Sequence, residues 1–424
     1  VKLRQSQTLK RPKPKFLSRA TDTYMVSPPR RRFRSTMACG GTGEEWCSLP
    51  ADLLLSVFAL LPDDADRVRF RAVCGRWAAA AATWRPRPWL VGSRTDRSGQ
   101  GAAMSSFWLS QASGLVPFAA AVPPGLEYLS SSHGYLVLSD PRATPKAITL
   151  LNPVTGRRVP LPPIGFFKKW HDVATVVLSA NPAADAGWAA VAAGFPTNSL
   201  AYYSSAAGAW TPLHFSAAGY AGVEHYGGRF YVAFKNRICV LQELECGAAP
   251  AVIPLEHADG DGDDDGGGGS DDEDVPGSGR RVVVDTHLVE CDGELLHVSL
   301  RDEAEYSSDD DMGSGLGSTR VVEVHRVELI GDGTVRLVRV ENLGYHALFL
   351  GRNRAFALSP AEFPACRVNC VYLLDRQGHP DGVVKVVDME SQWARREETM
   401  YPDDGRRGSP SAGWARRGWF FPSY

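Results

Sequence analysis

The residues best suited to chemistry in this chain are a run of acids and a scatter of thiols. Asp261, Asp263 and Asp265 alternate ahead of Gly266, and Asp272 closes the run at its twelfth position. Alternating oxygens, a Gly turn and a terminal acid are what a calcium loop requires. Here, however, Asp replaces the closing Glu, Gly268 takes a normally apolar position, and no helical pattern flanks the run. An acidic surface loop is therefore expected, not a metal site. Cys366 and Cys370 lack a second Cys or His pair at zinc-ligand spacing and are expected to be buried thiols. The eight cysteines (39, 47, 74, 239, 246, 291, 366 and 370) are scattered with no secretory signal ahead of them, so they read as reduced thiols of an intracellular protein. The sequence has no GxxxxGK[ST] phosphate loop, HExxH metal helix or G-x-S-x-G nucleophile elbow. The expectation is a chain with no catalytic residue, no metal and no cofactor.

The elements that must carry any function follow from composition. The chain has 424 residues, 44% hydrophobic and 22% charged, which is enough for more than one folded domain. No stretch approaches the length of about 20 apolar residues that a spanning helix needs, so no membrane role is expected. The net charge of -2 hides an asymmetry: residues 1 to 36 hold eleven Lys or Arg against Asp22 alone, leaving the remainder acidic. An acidic body disfavours nucleic acid as a partner. The basic stretch 1–36 reads as a disordered leader or translated upstream sequence with the start at Met37. The same composition fits an organellar transit peptide or a basic import patch.

From Leu49 the periodicity is helical, with Leu49, Leu53, Val57 and Leu60 or Leu61 on one stripe, Ser48 as cap and Pro62 as stop. A second helix is expected from Asp63 or Asp64, its face made by Phe70, Val73, Cys74 and Trp77 and extended by Ala78 to Ala82. Beyond about residue 100 the pattern changes to short apolar runs punctuated by turn glycines. His133-Gly134, Gly227-Gly228, Asp292-Gly293 and Asp332-Gly333 read as β-hairpins, with Thr155-Gly156 and Ala207-Gly208 as weaker members. So many hairpins with so little helix point to radial repetition of small sheets, a β-propeller. At about 45–50 residues per repeat the region holds six or seven blades, and the uneven Gly spacing leaves the count open. Two acidic interruptions, 257–279 and 302–317, are expected to be surface loops.

The run Ser48-Leu49-Pro50 through Leu61-Pro62, followed by Val73-Cys74-Gly75-Arg76-Trp77, resembles an F-box over roughly residues 46–90. That resemblance implies a small helical module docking a Skp-type adaptor and, through it, a cullin-RING ligase. It assigns Leu49, Pro50, Leu53, Leu54, Val57, Val73, Cys74 and Trp77 to adaptor-facing or immediately supporting positions. A second ordered set is similar to the plant F-box family bearing domain of unknown function 295, described as a kelch-like propeller. It comprises Leu150 to Arg157 with Leu161-Pro162-Pro163, Val223 to Tyr231, Gly293 to Val298, Asn342 to Gly344 with Ala347 to Gly351, Asn369 to Tyr372, and Gly418 to Ser423.

The fold class expected is therefore α+β multidomain: an F-box over 46–90, then an all-β propeller over 100–424. The function implied is that of a non-catalytic substrate-recognition subunit of a Skp-cullin-F-box ubiquitin ligase, binding an unknown target protein in the nucleus or cytoplasm. The alternative is an organelle-targeted or stand-alone propeller binding protein.

Overall fold

The computed structural model describes residues 46–61, 64–84, 88–95, 102–110, 114–118, 123, 125–140, 142–165, 172–195, 199–213, 221–234, 237–242, 250–258, 282–303, 319–331, 333–361, 363, 366–375, 383–391 and 414–422. The basic leader, the calcium-loop mimic and most of both acidic interruptions lie outside them. His257, placed at the edge of the first interruption, is in a strand, as are Asp302 and Glu303 at the edge of the second.

Among the described residues, three helices precede the strands, after a helical Trp46 and Cys47: α1 (Ala51–Leu60), α2 (Asp64–Arg71) and α3 (Gly75–Ala80). The first begins later than a Ser48 cap would place it. Pro50 is the capping residue, extended and without a side-chain bond, and its carbonyl accepts the Leu53 and Leu54 N–H groups at 3.1 Å. Leu61 is extended (φ -68, ψ 127), as a residue ahead of a proline prefers. The single second helix expected from the Phe70-to-Trp77 stripe is instead broken in two. The α2 helix tightens as Val73 N–H reaches the Phe70 carbonyl, Cys74 is extended (φ -163, ψ 171), and Gly75 starts α3. Glycine is a poor helix former, and the break still lets Trp77 lie 4.4 Å from Phe70, centroid to centroid. Leu54, Phe70 and Ala81 form this module's core, packed by Phe58, Leu61 and Trp77.

The described strands of the remainder form six sheets in a closed ring. Blade one orders β1 (Trp89–Thr95), β2 (Ala102–Ser110) and β3 (Gly114–Phe118) outward from the C-terminal β25 (Trp414–Phe420). Blade two is β4 (Glu127–Ser132), β5 (Tyr135–Ser139), β6 (Lys146–Leu151) and β7 (Arg158–Ile164). Blade three is β8 (Asp172–Leu178), β9 (Ala189–Phe195), β10 (Leu200–Ser204) and β11 (Ala209–Leu213). Blade four is β12 (Ala221–Tyr226), β13 (Arg229–Phe234), β14 (Arg237–Gln242) and β15 (Ala251–Pro254). Blade five is β17 (Val282–Cys291), β18 (Glu294–Glu303), β19 (Thr319–Ile330) and β20 (Thr334–Arg339), with the short β16 (Glu256–His257) parallel to β20 at its outer edge. Blade six departs from the meander. Its order is β22 (Phe356–Leu358), β21 (Ala347–Leu350), β23 (Cys370–Asp375) and β24 (Val383–Asp388), and β21 and β23 run parallel.

Contacts between the innermost strands β25, β4, β8, β12, β17 and β22, in that order and back to β25 through blade six, close the ring. The strands flanking each expected turn pair antiparallel, Asp332 of the Asp332-Gly333 turn itself lying outside the described residues. Both turn residues have positive φ at His133-Gly134 (46°, 76°), Gly227-Gly228 (55°, 80°) and Asp292-Gly293 (52°, 78°), the conformation of a two-residue turn that suits strand twist.

Inner and middle strands such as β4, β5, β13 and β21 are buried on both faces because every blade is sandwiched between two others. Along β5, Tyr135 and Val137 enter the core shared with blade three, while Leu136 and Leu138 enter the core shared with blade one. Along β23, Cys370, Tyr372 and Leu374 face blade one, and Val371 and Leu373 face blade five. Period-two alternation thus sorts side chains between neighbouring cores, not between core and water.

Candidate functional site

Two features stand out: an apolar helix face left uncovered, and a filled propeller centre. On α1, Leu54, Phe58 and Leu61 turn toward the module's core. Leu53, Val57 and Leu60, at i, i+4 and i+7, make a separate stripe and are 52%, 38% and 83% exposed. Val73, at the α2–α3 break, adds another exposed side chain at 49%. A short helix thus presents apolar residues on two stripes, of which its own module covers one. Burying a single Leu or Val is worth about 1.5–3 kcal/mol, so the open stripe offers a partner substantial binding energy.

The eight residues assigned from the resemblance divide accordingly. Leu53, Val57 and Val73 are exposed, as is Pro50 at the helix start. Leu54 is 1% exposed and supports the helix from within, and Trp77 is half-buried against Phe70. Leu49 is half-buried against the same core, and Cys74 is half-buried ahead of α3. Leu60, the most exposed of the stripe, was not among the assigned residues, although its i+7 spacing from Leu53 places it there.

The helical module is anchored on the ring. Val68 of α2 is fully buried in one cluster with Trp89, Val91, Tyr128, Leu136, Val154 and other residues of blades one and two. Arg69 Nε donates to the Val154 carbonyl at 3.3 Å. Val154 sits in the β6–β7 turn, which Asn152 fixes by accepting the N–H groups of Val154 and Thr155 at 3.0 and 2.9 Å. The module therefore rests on the propeller face where β4, β8, β12 and β17 end.

The centre of the ring is occupied by the chain's own segment Gly351 to Ala355, between β21 and β22. The Arg352 carbonyl accepts the Tyr128 hydroxyl at 2.8 Å, and Asn353 Oδ1 accepts the Trp419 N–H at 3.2 Å. Arg354 N–H donates to the Ser131 carbonyl at 2.7 Å. Its guanidinium Nε donates to Glu224 Oε1 at 2.7 Å, and Nη2 lies 3.5 Å from Glu290 Oε2. Three consecutive residues, Arg352, Asn353 and Arg354, thus reach blades one, two, four and five. Ser130 and Ser132 of β4 add bonds to Val176 and Leu178 of blade three, and Ser131 Oγ donates to the Trp419 carbonyl of blade one. Beside Asn353 remains a cavity of about 10 Å³ lined by Thr175, Gly222, His287 and others, room for about one water. Glycine is required where backbones meet: a Cβ on Gly222 would lie 2.7 Å from the Thr286 carbonyl, and one on Gly418 would lie 2.7 Å from the Arg352 carbonyl.

Electrostatics at this centre are governed by burial. Glu224 is fully buried; desolvation pushes its carboxyl up to about 7 against the opposing pull of Arg354. His133 is held down to about 3 by burial, with Arg354 and His225 adding to the effect. No cluster of three or more metal-ligating side chains occurs among the described residues, and no described helix is long and apolar enough to cross a membrane. Cys366 and Cys370 form no disulfide and are buried in the core between blades six and one.

A helical module carrying an open apolar stripe, seated on a six-sheet ring, defines an F-box protein with a C-terminal propeller, and a family model for an F-box-like domain matches residues 46–85. The chain belongs to the KIB1-4 β-propeller family, whose model matches residues 110–396. No curated protein matches it. Among solved structures, TolB from Acinetobacter baumannii is 12% identical at a TM-score of 0.36, covering 78% of this chain and 69% of its own. Sucrose-6-phosphate hydrolase from Lactobacillus gasseri is 10% identical at a TM-score of 0.24, covering 81% and 80%.

Proposed function

We propose that this chain is the substrate-recognition subunit of a Skp-cullin-F-box ubiquitin ligase, non-catalytic itself, with the α1 stripe docking the adaptor and the propeller holding a target protein. F-box domains generally bind Skp-type adaptors, and the observation carrying the reading is the open stripe Leu53, Val57 and Leu60, too apolar to be left in water without a partner. In this reading Pro50 and Val73 extend the docking face, Leu49 and Cys74 flank it, and Leu54 and Trp77 hold it in shape. The receptor works by proximity, since holding the target beside the transfer machinery makes the encounter effectively intramolecular.

The target belongs on the propeller face opposite the F-box. Tyr345 is 80% exposed there, next to Val368, on loops braced by Asn369, whose Oδ1 accepts the Leu343 N–H at 2.8 Å and whose own N–H donates to the His346 carbonyl at 2.9 Å. The plugged centre supports a surface-reading receptor over one that draws a ligand into the channel. The test is capture of recombinant Skp-type adaptor by the purified chain, beside a Leu53→Asp, Val57→Asp double variant. Capture by the parent chain and loss in a folded variant is expected; no capture by the parent chain refutes the reading.

A further inference from the structure

Beyond Thr36 the chain has thirty arginines but only five lysines, Lys146, Lys168, Lys169, Lys235 and Lys385; the other four lysines lie between positions 2 and 15. Two of the five fall among the described residues, and neither is open. The Lys146 side chain is 13% exposed with Nζ 3.5 Å from Glu127 Oε2, and Lys385, in β24, is half-buried and partnered. Arg158, Arg229, Arg237 and Arg339, by contrast, stand exposed on the propeller. At such positions an ammonium and a guanidinium keep a surface soluble equally well. The fork geometry that makes Arg irreplaceable matters at Arg354 and at Arg326, which bonds Glu328 and Glu294, and it does not explain arginine across the whole surface.

What separates the two side chains is nucleophilicity. Ubiquitin transfer forms a C–N bond between the ubiquitin C-terminal carbonyl and a neutral lysine Nζ. It breaks the C–S thioester bond to the carrier enzyme's cysteine, and the amine's proton ends on the released sulfur. A guanidinium with a pKa above about 12 stays protonated and delocalised, and supplies no such nucleophile. We propose that arginine in place of lysine shields the propeller from the ligase it serves, so that ubiquitin passes to the bound target and the receptor is spared. This rests on the function proposed above.

The test assembles the full chain with purified Skp-type adaptor, a cullin-RING core and ubiquitin-charged carrier enzyme. Ubiquitin remnants are then mapped by mass spectrometry over time. The comparison is a charge-conserving variant combining Arg158→Lys, Arg229→Lys, Arg237→Lys and Arg339→Lys, with its fold checked by its unfolding midpoint. In the parent chain Lys146 and Lys385 should stay essentially unmodified, any remnants lying at the few other lysines, Lys168, Lys169, Lys235 and those between positions 2 and 15. In the variant, remnants should appear at the four substituted positions and self-modification of the propeller should rise severalfold. Lys146 and Lys385 of the parent chain modified as fast as the substituted positions, or a variant that gains nothing, would overturn the proposal. Failure of the parent chain to enter the complex at all, seen first by gel filtration, would remove the ligase reading and this proposal together.

Discussion

Glu224 and His133 lie near the ends of inner strands beside Arg354, and burial moves their titrations in opposite senses. The folded protein holds the Glu224 proton more tightly than the unfolded chain does. The stability it contributes is present below the ordinary carboxyl value of 4.5 and is lost as pH rises through about 7. His133 is the reverse: its contribution is present above the ordinary 6.5 and is lost as pH falls toward about 3. In the window between those two ordinary values the slopes oppose. Glu224→Gln should therefore remove the decline toward neutrality. His133→Asn, which tolerates the φ of 46°, should remove the decline on the acid side. Denaturant midpoints followed from about pH 4 to about pH 8 would show it; parallel curves for both variants and the parent chain would contradict these assignments. Above about pH 7, where Glu224 is ionised, Arg354→Ala should cost about 3–5 kcal/mol, because it strips the partner from a buried carboxylate, and adding Glu224→Gln should recover part of the loss. None of this cluster was legible in the sequence: Arg354 and Glu224 are 130 positions apart, Tyr128 and Arg352 are 224 apart, and Gly-Arg-Asn-Arg has no local signature.

At the scale of elements, what could be read was local and what could not was remote. The stripe Leu53, Val57 and Leu60 follows helical period, and each hairpin announced itself through turn residues suited to positive φ. The α2–α3 break was missed because a stripe continues across it: Phe70 and Trp77 meet with or without an unbroken helix. Blade number stayed open because insertions stretch some blades, and because β25 leaves the C-terminus to become the inner strand of blade one. That closing strand carries Trp419 and Phe420, both fully buried in different inter-blade cores. Trp419→Ala should cost about 3–5 kcal/mol by thermal or denaturant unfolding, and a chain ending before Trp414 should lose cooperative unfolding altogether. Survival of a cooperative transition in the truncated chain would contradict ring closure through β25. Tyr345→Ala, in contrast, should leave stability within about 0.5 kcal/mol while weakening capture of a target protein.

Across the whole molecule, the helical module and the ring share a core through Val68. Val68→Asp buries a charge there without touching the α1 stripe. Loosening of the module on blades one and two is expected, seen as faster amide exchange across β6 and the turn at Asn152, with adaptor capture retained. The molecule joins a propeller that closes its own centre to a helix that leaves one face open, and the function proposed above makes this open face an adaptor site. The most direct measurement is a calorimetric titration of purified Skp-type adaptor into the chain at several temperatures. The account predicts a one-to-one complex with a negative heat-capacity change, the mark of apolar burial, abolished by Leu53→Asp with Val57→Asp in a protein that still unfolds cooperatively. No binding, or binding that the double substitution leaves intact, would contradict it.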